Sequence, residues 1–369
     1  MSHPDVLIVG GGIVGMCCAR AMAHRNHEVV VVESGPKSGA ASLIAAGMLA
    51  PQAESVAEDP TLELAVRARD LYVELAPTLM DEVGIDIGLW TGGILQVAFT
   101  DEEVAERKRE VAWQRQSGFT AEWLTSDEVR ERAPGISGEI QGAAYAPEDG
   151  SVDPQALLDA MRKSAEAKGV TMVLGEEVTS LTIGAGGIEG ILTDKGSLSA
   201  GAVVLAAGAW SSQIGGLARP LSVEPIRGQI AVLDWPTDEL PAIVYGAGGY
   251  VIQREHEAIA GSTMEHVGFD TNVTDEGLSR IRQIASDIYP ALTNAEVRSS
   301  WAGLRPQTPD GHPIIGPDPN IAGLWYATGH GRNGILLAGY TGELLAQLYS
   351  GELIEHDLCC INPDRFWNW

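Results

Sequence analysis

The 369-residue sequence predicts an α/β fold with a second, α+β domain woven into it. Three observations carry this. An apolar run at 5–9 (DVLIV), a glycine-rich turn, an Ala/Met-rich stretch and a second apolar run at 28–32 (EVVVV) follow one another. That order is a βαβ unit from a parallel sheet covered on both faces. Short β-like runs parted by glycines fill 171–208 and 226–253, with helical patterns on either side. No fixed-period repeat or low-complexity linker separates the two kinds of segment.

Taken in order, strand 5–9 leads into a helix from Met16 to Arg25 and a strand at 28–32 that ends at Glu33. Apolar spacing predicts a helix over 61–83, and DEEVAERKREVAWQRQS at 101–117 reads as a charged amphipathic helix. GGILQVAF at 92–99 between them reads as a strand. Helix 154–168 opens with Asp153-Pro154, a capping side chain followed by the residue suited to the first helical position. Strands are expected within 171–183, 187–194 and 201–208, then at 226–233, 242–253 and 323–328, with helices at 275–289 and 334–350.

Composition narrows the function. Lys plus Arg number 24 against 50 Asp plus Glu, a net charge of −26. Such a surface repels phosphate backbones, which argues against a nucleic-acid partner, and it favours solubility. No apolar run reaches the roughly 18 residues needed to span a bilayer, so no integral membrane segment is expected. The N-terminus runs straight into a strand, so no signal peptide is expected either. The four cysteines form two adjacent pairs, Cys17–Cys18 and Cys359–Cys360, with no CxxC and no zinc-like spacing. The expectation is a reducing, cytoplasmic setting without a metal.

Gly10-x-Gly12-x-x-Gly15 lies between the first strand and its helix. Gly10 permits a tight turn, Gly12 lets backbone approach a pyrophosphate, and Gly15 lets helix and strand pack closely. Ile13 and Val14, inside the turn, are candidate cofactor contacts, and the N-terminus of the helix that follows would turn its N–H groups toward the phosphates. Glu33 ends the second strand, where a carboxylate can bind a ribose 2′-hydroxyl and disfavours a 2′-phosphate. This is a Rossmann-like dinucleotide fingerprint, equally compatible with FAD and NAD. A glycine-rich turn of an unrelated α/β protein is the alternative.

Further motifs carry a resemblance. They are Glu33-Ser34, the run Ala40 to Gln52 (AASLIAAGMLAPQ), Ser151-Val152-Asp153-Pro154, Ala206-Ala207-Gly208-Ala209-Trp210-Ser211, and Pro225-Ile226-Arg227-Gly228-Gln229. The most specific are WAGLRP at 301–306 with Pro309-Asp310-Gly311, and GHGRNGILL at 329–337. Spanning about residues 5 to 345, these resemble the glycine oxidase branch of the D-amino-acid oxidase family, the thiamine-pathway type. The resemblance implies FAD as cofactor, a discontinuous FAD domain (1–85, 145–220 and 300–369) and a substrate domain on an antiparallel sheet (86–144 and 221–299). It also implies oxidation of a small amine alpha to a carboxylate, giving an imine and, with molecular oxygen, hydrogen peroxide. Homo-oligomers are expected by the same resemblance, with Trp367 and Trp369 as candidate contacts.

Arg305 is the candidate carboxylate clamp, since guanidinium offers a planar bidentate fork. Read without the resemblance, a structural salt bridge fits it equally. The resemblance puts Tyr250 on the same carboxylate, where a half-buried strand aromatic is the alternative. It puts Met264 in the substrate pocket, where a core Met is the alternative, and brings Arg332 to the substrate from the opposite side. For the cofactor it implies Ala41, Ser42, Ala46, Gly47 and Met48 along the flavin and phosphates, the Val178 backbone at the adenine, and Gly208. His330, Gly331, Arg332, Asn333, Gly334, Ile335 and Leu336 would bring a helix N-terminus to the flavin, favouring negative charge on the reduced ring. The sequence departs from the family at Leu43 and Ile44, where smaller residues are frequent, and at Gly331, which replaces an aromatic and is expected to open space for a larger amine. In this chemistry hydride passes to flavin N5, and no side chain need act as base. An amine dehydrogenase of the same fold, a flavin scaffold acting on tRNA and a non-catalytic flavin module are the alternatives. The charge of −26 argues against the tRNA reading.

Overall fold

The computed structural model of the chain describes residues 3–35, 37–55, 59–235, 243–254, 256–354 and 357–366. Position 242 of one expected strand, Trp367 and Trp369 lie outside these. Among the described residues the strands form four sheets, of six, eight, three and two strands.

The six-stranded sheet is the Rossmann-like layer. Val6–Val9 pairs in parallel with Val29–Glu33 on one side and with Ala202–Leu205 on the other. All four residues of the first strand are buried, as an apolar run without alternation requires. The side chains nonetheless divide by face. Val6 and Ile8 join the core under the helices, whereas Leu7 and Val9 face the core shared with the three-stranded sheet. The helix Ile13–Ala23 is buried almost all round. It lies between the helices Gly334–Tyr349 and Pro154–Ala167. Asp153 caps the last of these as expected, accepting from Gln155 and Ala156 N–H at 2.8 and 3.1 Å, with Pro154 in its first turn.

The eight-stranded sheet is mostly antiparallel and carries the second domain. The long strand Glu224–Asp234 lies second from one edge, between the edge strand Val297–Gln307 and Glu257–Gly261. One face is covered by the helix Asp275–Ile288 (Ala231, Leu233, Val251, Ile284). The other, with Ile230, Val232, Tyr250 and Ile252, faces the first domain. Among the described residues, no helix is long and apolar enough to cross a membrane.

Two expectations are corrected and a third, of short strands with Gly turns, is resolved further. The run 242–253 is a hairpin, Ile243–Gly246 and Gly249–Arg254, turned through Ala247 and Gly248 at positive φ. The run 171–183 splits at Gly175, so Thr171–Leu174 joins the six-stranded sheet and Val178–Gly184 the three-stranded one. The segment from 300 does not start the first domain's last piece. Val297–Gln307 hydrogen-bonds along Glu224–Asp234 as a strand of the eight-stranded sheet.

Candidate active site and cofactor cleft

A cavity of about 820 Å³ runs between the two large sheets, in the upper part of the range of small-molecule sites. At one end is the glycine turn. Gly10 has φ +109°, and a Cβ there would fall 2.5 Å from the Ala206 carbonyl oxygen. A Cβ on Gly15 would fall 2.0 Å from the Gly10 oxygen, so the helix rests directly on the turn. Gly12 supplies no side-chain cap; Ser42 Oγ instead accepts the Ile13 N–H at 3.0 Å. The Glu33 carboxylate accepts N–H groups from Gly11 (2.6 Å) and Gly35 (3.1 Å) and lines the cavity. Val178 and Gly208 line the same end.

Beyond the turn, Ala41, Ser42, Ala46, Gly47 and Met48 line one wall and His330–Ile335 another. Arg254 donates to the Ala46 carbonyl at 2.8 Å and holds the first wall in place. The helix Gly334–Tyr349 begins in the cavity, with no side-chain cap from Asn333, so its first-turn N–H groups are available there. The Tyr72 hydroxyl donates to the Ile335 carbonyl from beneath. Burial pushes the His330 imidazole down to about 3, so it is neutral beside Thr341 Oγ1 at 2.9 Å. A carboxylate at a strand end, bare glycine backbone and two helix N-termini whose N-cap residues supply no side-chain cap fit a long dinucleotide carrying phosphates and a flat ring.

Arg305 and Tyr250 meet at the other end. Strand alternation puts Trp301, Gly303 and Arg305 on one face of Val297–Gln307. The guanidinium lies over Gly228 of the neighbouring strand, where a Cβ would come within 2.1 Å of Nη1. Its partners are neutral: Ser262 Oγ at 2.8 Å and the Thr263 carbonyl at 3.2 Å. Among the described residues no carboxylate pairs with it. Burial foremost holds it below its ordinary pKa, with Tyr250 opposing and Arg332 adding to the shift. Tyr250 is 3% exposed. Burial raises its phenol, while Arg305 and a hydrogen bond with Ser262 lower it. Arg332 enters from the turn before the last long helix, and its Nη2 reaches Glu54 Oε1 at 3.1 Å. The Tyr245 hydroxyl donates to the same oxygen at 2.6 Å.

Two expected site residues lie elsewhere. Met264 is 53% exposed and is neither a cavity-lining nor a core residue, because it falls past the end of strand Glu257–Gly261. Leu336 turns into the helix-side core at 2% exposure. Gly15 sits behind the cavity wall, in the packing role its motif position predicts. The space expected at Gly331 is not open. The backbone has φ +53°, and a Cβ would sit 2.8 Å from Gln307 Oε1. Ile44 fills room left by Gly303, where a Cβ would come within 2.1 Å of Cδ1. Glu54, Tyr245 and Ser262 were absent from the expected set. Glu54 lies two residues beyond the recognised run that ends at Gln52, and no local pattern marks it.

Residues 5–348 match the family model described as FAD dependent oxidoreductase. The chain belongs to that family. It is 36% identical to the glycine oxidase of Geobacillus kaustophilus over 99% of this chain and 98% of the relative. A crystal structure of glycine oxidase from that organism superposes with a TM-score of 0.92 at 35% identity, covering 98% of each chain. The bifunctional protein ThiO/ThiG of Nostoc is 36% identical over 93% of this chain, which spans 52% of that relative. The chain is thus a glycine oxidase-like, FAD-dependent oxidoreductase, and the dinucleotide its glycine turn fits is FAD.

Proposed function

We propose that the protein oxidises glycine or a similarly small amine, such as sarcosine or a small D-amino acid, at the carbon between nitrogen and carboxylate. The single observation that carries this is Arg305: a half-buried guanidinium that, among the described residues, has only neutral partners and opens on the cofactor cleft. An incoming carboxylate completes the charge-assisted pair that the protein itself leaves unmade. Tyr250, joined to Arg305 through Ser262, offers its hydroxyl to the same carboxylate. Its raised pKa keeps it a donor at neutral pH.

Bound FAD supplies the acceptor for a hydride from the substrate α-carbon and is restored by molecular oxygen, which leaves as hydrogen peroxide. The protein's share is placement. Gly10, Gly12, Ser42 and Glu33 would hold the nucleotide half, and the walls at 41–48 and 330–335 the ring. The helix N-terminus at Gly334 favours negative charge beside it. Apolar Ile44, Met48 and Ile230 limit water at the substrate end, which strengthens the Arg305 pair. The imine product hydrolyses to a 2-oxo acid and ammonia. The fused ThiO/ThiG relative supports a role in which glycine imine passes onward to thiamine synthesis.

The test is the visible flavin spectrum under anaerobic glycine, followed by peroxide counted against imine in air. Bleaching with one peroxide per imine is expected. A spectrum unmoved by glycine, sarcosine or D-alanine would overturn the substrate class, and imine formed without peroxide would make the protein a dehydrogenase.

A further inference from the structure

We propose that Glu54 sets the charge class of the substrate, restricting the site to amines that carry one carboxylate. This rests on the reading that Arg305 receives the substrate carboxylate.

Two guanidinium groups line the substrate end of the cavity, from different elements. Among the described residues Arg305 has neutral partners only. Arg332 is already paired with Glu54, yet its side chain is 45% exposed while that of Glu54 is 11% exposed. The cation therefore faces the open cleft, and its counter-charge is seated behind it. Arg305, Arg332, Glu54 and Tyr250 all lie within electrostatic reach of one another.

Glu54 is not a loosely held surface acid. Its carboxylate takes the Tyr245 hydroxyl at 2.6 Å and Arg332 at 3.1 Å. The two residues before it are pinned from below. The buried Asp149 carboxylate accepts the Gln52 and Ala53 N–H groups at 3.1 and 2.9 Å, and Arg69 pairs with Asp149 at 3.1 Å. The Ala53 carbonyl accepts from Gln96. A segment tied this way presents Glu54 at a fixed place.

The charge count follows. Two cations and one anion leave a single unmatched positive charge, at Arg305. An amine that is neutral at nitrogen and carries one carboxylate matches it. A second carboxylate on the nitrogen substituent meets a guanidinium whose charge is already spent and an anion beside it. Selectivity here comes from repulsion built against the wrong ligand as much as from attraction to the right one. With Glu54→Gln the Tyr245 hydroxyl keeps an acceptor, while Arg332 becomes free to take a second carboxylate.

The experiment compares holoenzyme of the wild type, Glu54→Gln, and Glu54→Gln combined with Arg332→Gln. Acetate and malonate are titrated into each and binding is read from the flavin spectrum, which needs no turnover. In parallel, kcat/KM is measured for sarcosine and for N-carboxymethylglycine. Wild type is expected to prefer acetate and sarcosine. Glu54→Gln should shift both ratios at least tenfold toward the dianions, and the double variant should lose that shift. Ratios within twofold of wild type in Glu54→Gln, or an equal shift in the double variant, overturn the proposal. A wild type that binds acetate but turns over neither amine overturns the proposed reaction, and the acetate–malonate ratio then still decides Glu54. Failure of wild type to bind acetate overturns the carboxylate site on which both readings rest.

Discussion

Replacing Arg305 with Gln separates a binding cation from a structural one. Among the described residues the guanidinium makes two bonds, to Ser262 Oγ at 2.8 Å and the Thr263 carbonyl at 3.2 Å, and both acceptors are neutral. No ion pair among those residues is lost with it, and a half-buried cation without a counter-ion carries a desolvation cost. Stability should therefore hold or rise, by up to about 1 kcal/mol. Substrate binding loses one side of a buried charge pair, which costs about 2–4 kcal/mol. That is roughly a 30- to 900-fold fall in kcat/KM. The assay is steady-state peroxide production with glycine, at confirmed FAD content, beside urea unfolding of the same preparations. Unchanged glycine kinetics would refute the carboxylate role. So would a loss near 3 kcal/mol of stability, the behaviour of a broken buried salt bridge. Gly228→Ala is the companion variant. Its Cβ would stand 2.1 Å from Arg305 Nη1, so it displaces the fork without removing charge. Because a flexible side-chain end can move aside, KM for glycine should rise at least tenfold (about 1.4 kcal/mol) while the melting temperature stays put.

Three further outcomes are expected. Gly15→Ala puts a methyl 2.0 Å from the Gly10 carbonyl oxygen. Backbone must shift, so about 1–3 kcal/mol of stability and most bound FAD should be lost, read from unfolding and from the flavin-to-protein absorbance ratio. Asp149→Ala strips two backbone N–H groups of their buried acceptor, while Arg69 keeps Asp70 and Glu148; about 1–3 kcal/mol should be lost for each stranded N–H in urea unfolding. His330 is held neutral by burial at about 3, whereas the unfolded chain protonates it near 6.5. The unfolded state binds the extra proton between those values, so the contribution is complete above about pH 6.5 and is lost as pH falls. From pH 7 to pH 5 the loss is about 2 kcal/mol, and His330→Asn should flatten that part of the stability profile. An equal slope in the variant would show that other groups carry it.

Legibility in the sequence followed the range of the interactions. The βαβ unit could be read because its signals are local: an unbroken apolar run, three glycines at fixed spacing and an acid at a strand end. Helix limits came within a few residues for the same reason, as with Asp153 and Pro154 at 154–167. The hairpin at 243–254 carries its own signal, Gly246-Ala247-Gly248-Gly249 between two apolar runs, which a reading of 242–253 as one strand passed over. Val297–Gln307 went unread as a strand because its first half, Val297-Arg298-Ser299-Ser300, is polar and partly exposed and lacks the alternation that its pairing partner would reveal.

The sequence by itself determined the α/β class, the dinucleotide turn and, through motif resemblance, the identity of Arg305 and Tyr250 as candidates. Each depends on neighbours in the chain or on a motif that survives as a string. Tertiary structure alone decided which charges meet. Glu54 and Arg332 are 278 positions apart and Arg305 and Ser262 are 43 apart, and nothing local distinguishes a paired guanidinium from an unpaired one. It likewise sent Met264 to the surface and filled the space beside Gly331 with Gln307. Electrostatic matching and steric exclusion act through space, so the selectivity of the site follows from the packing of two sheets against one cleft.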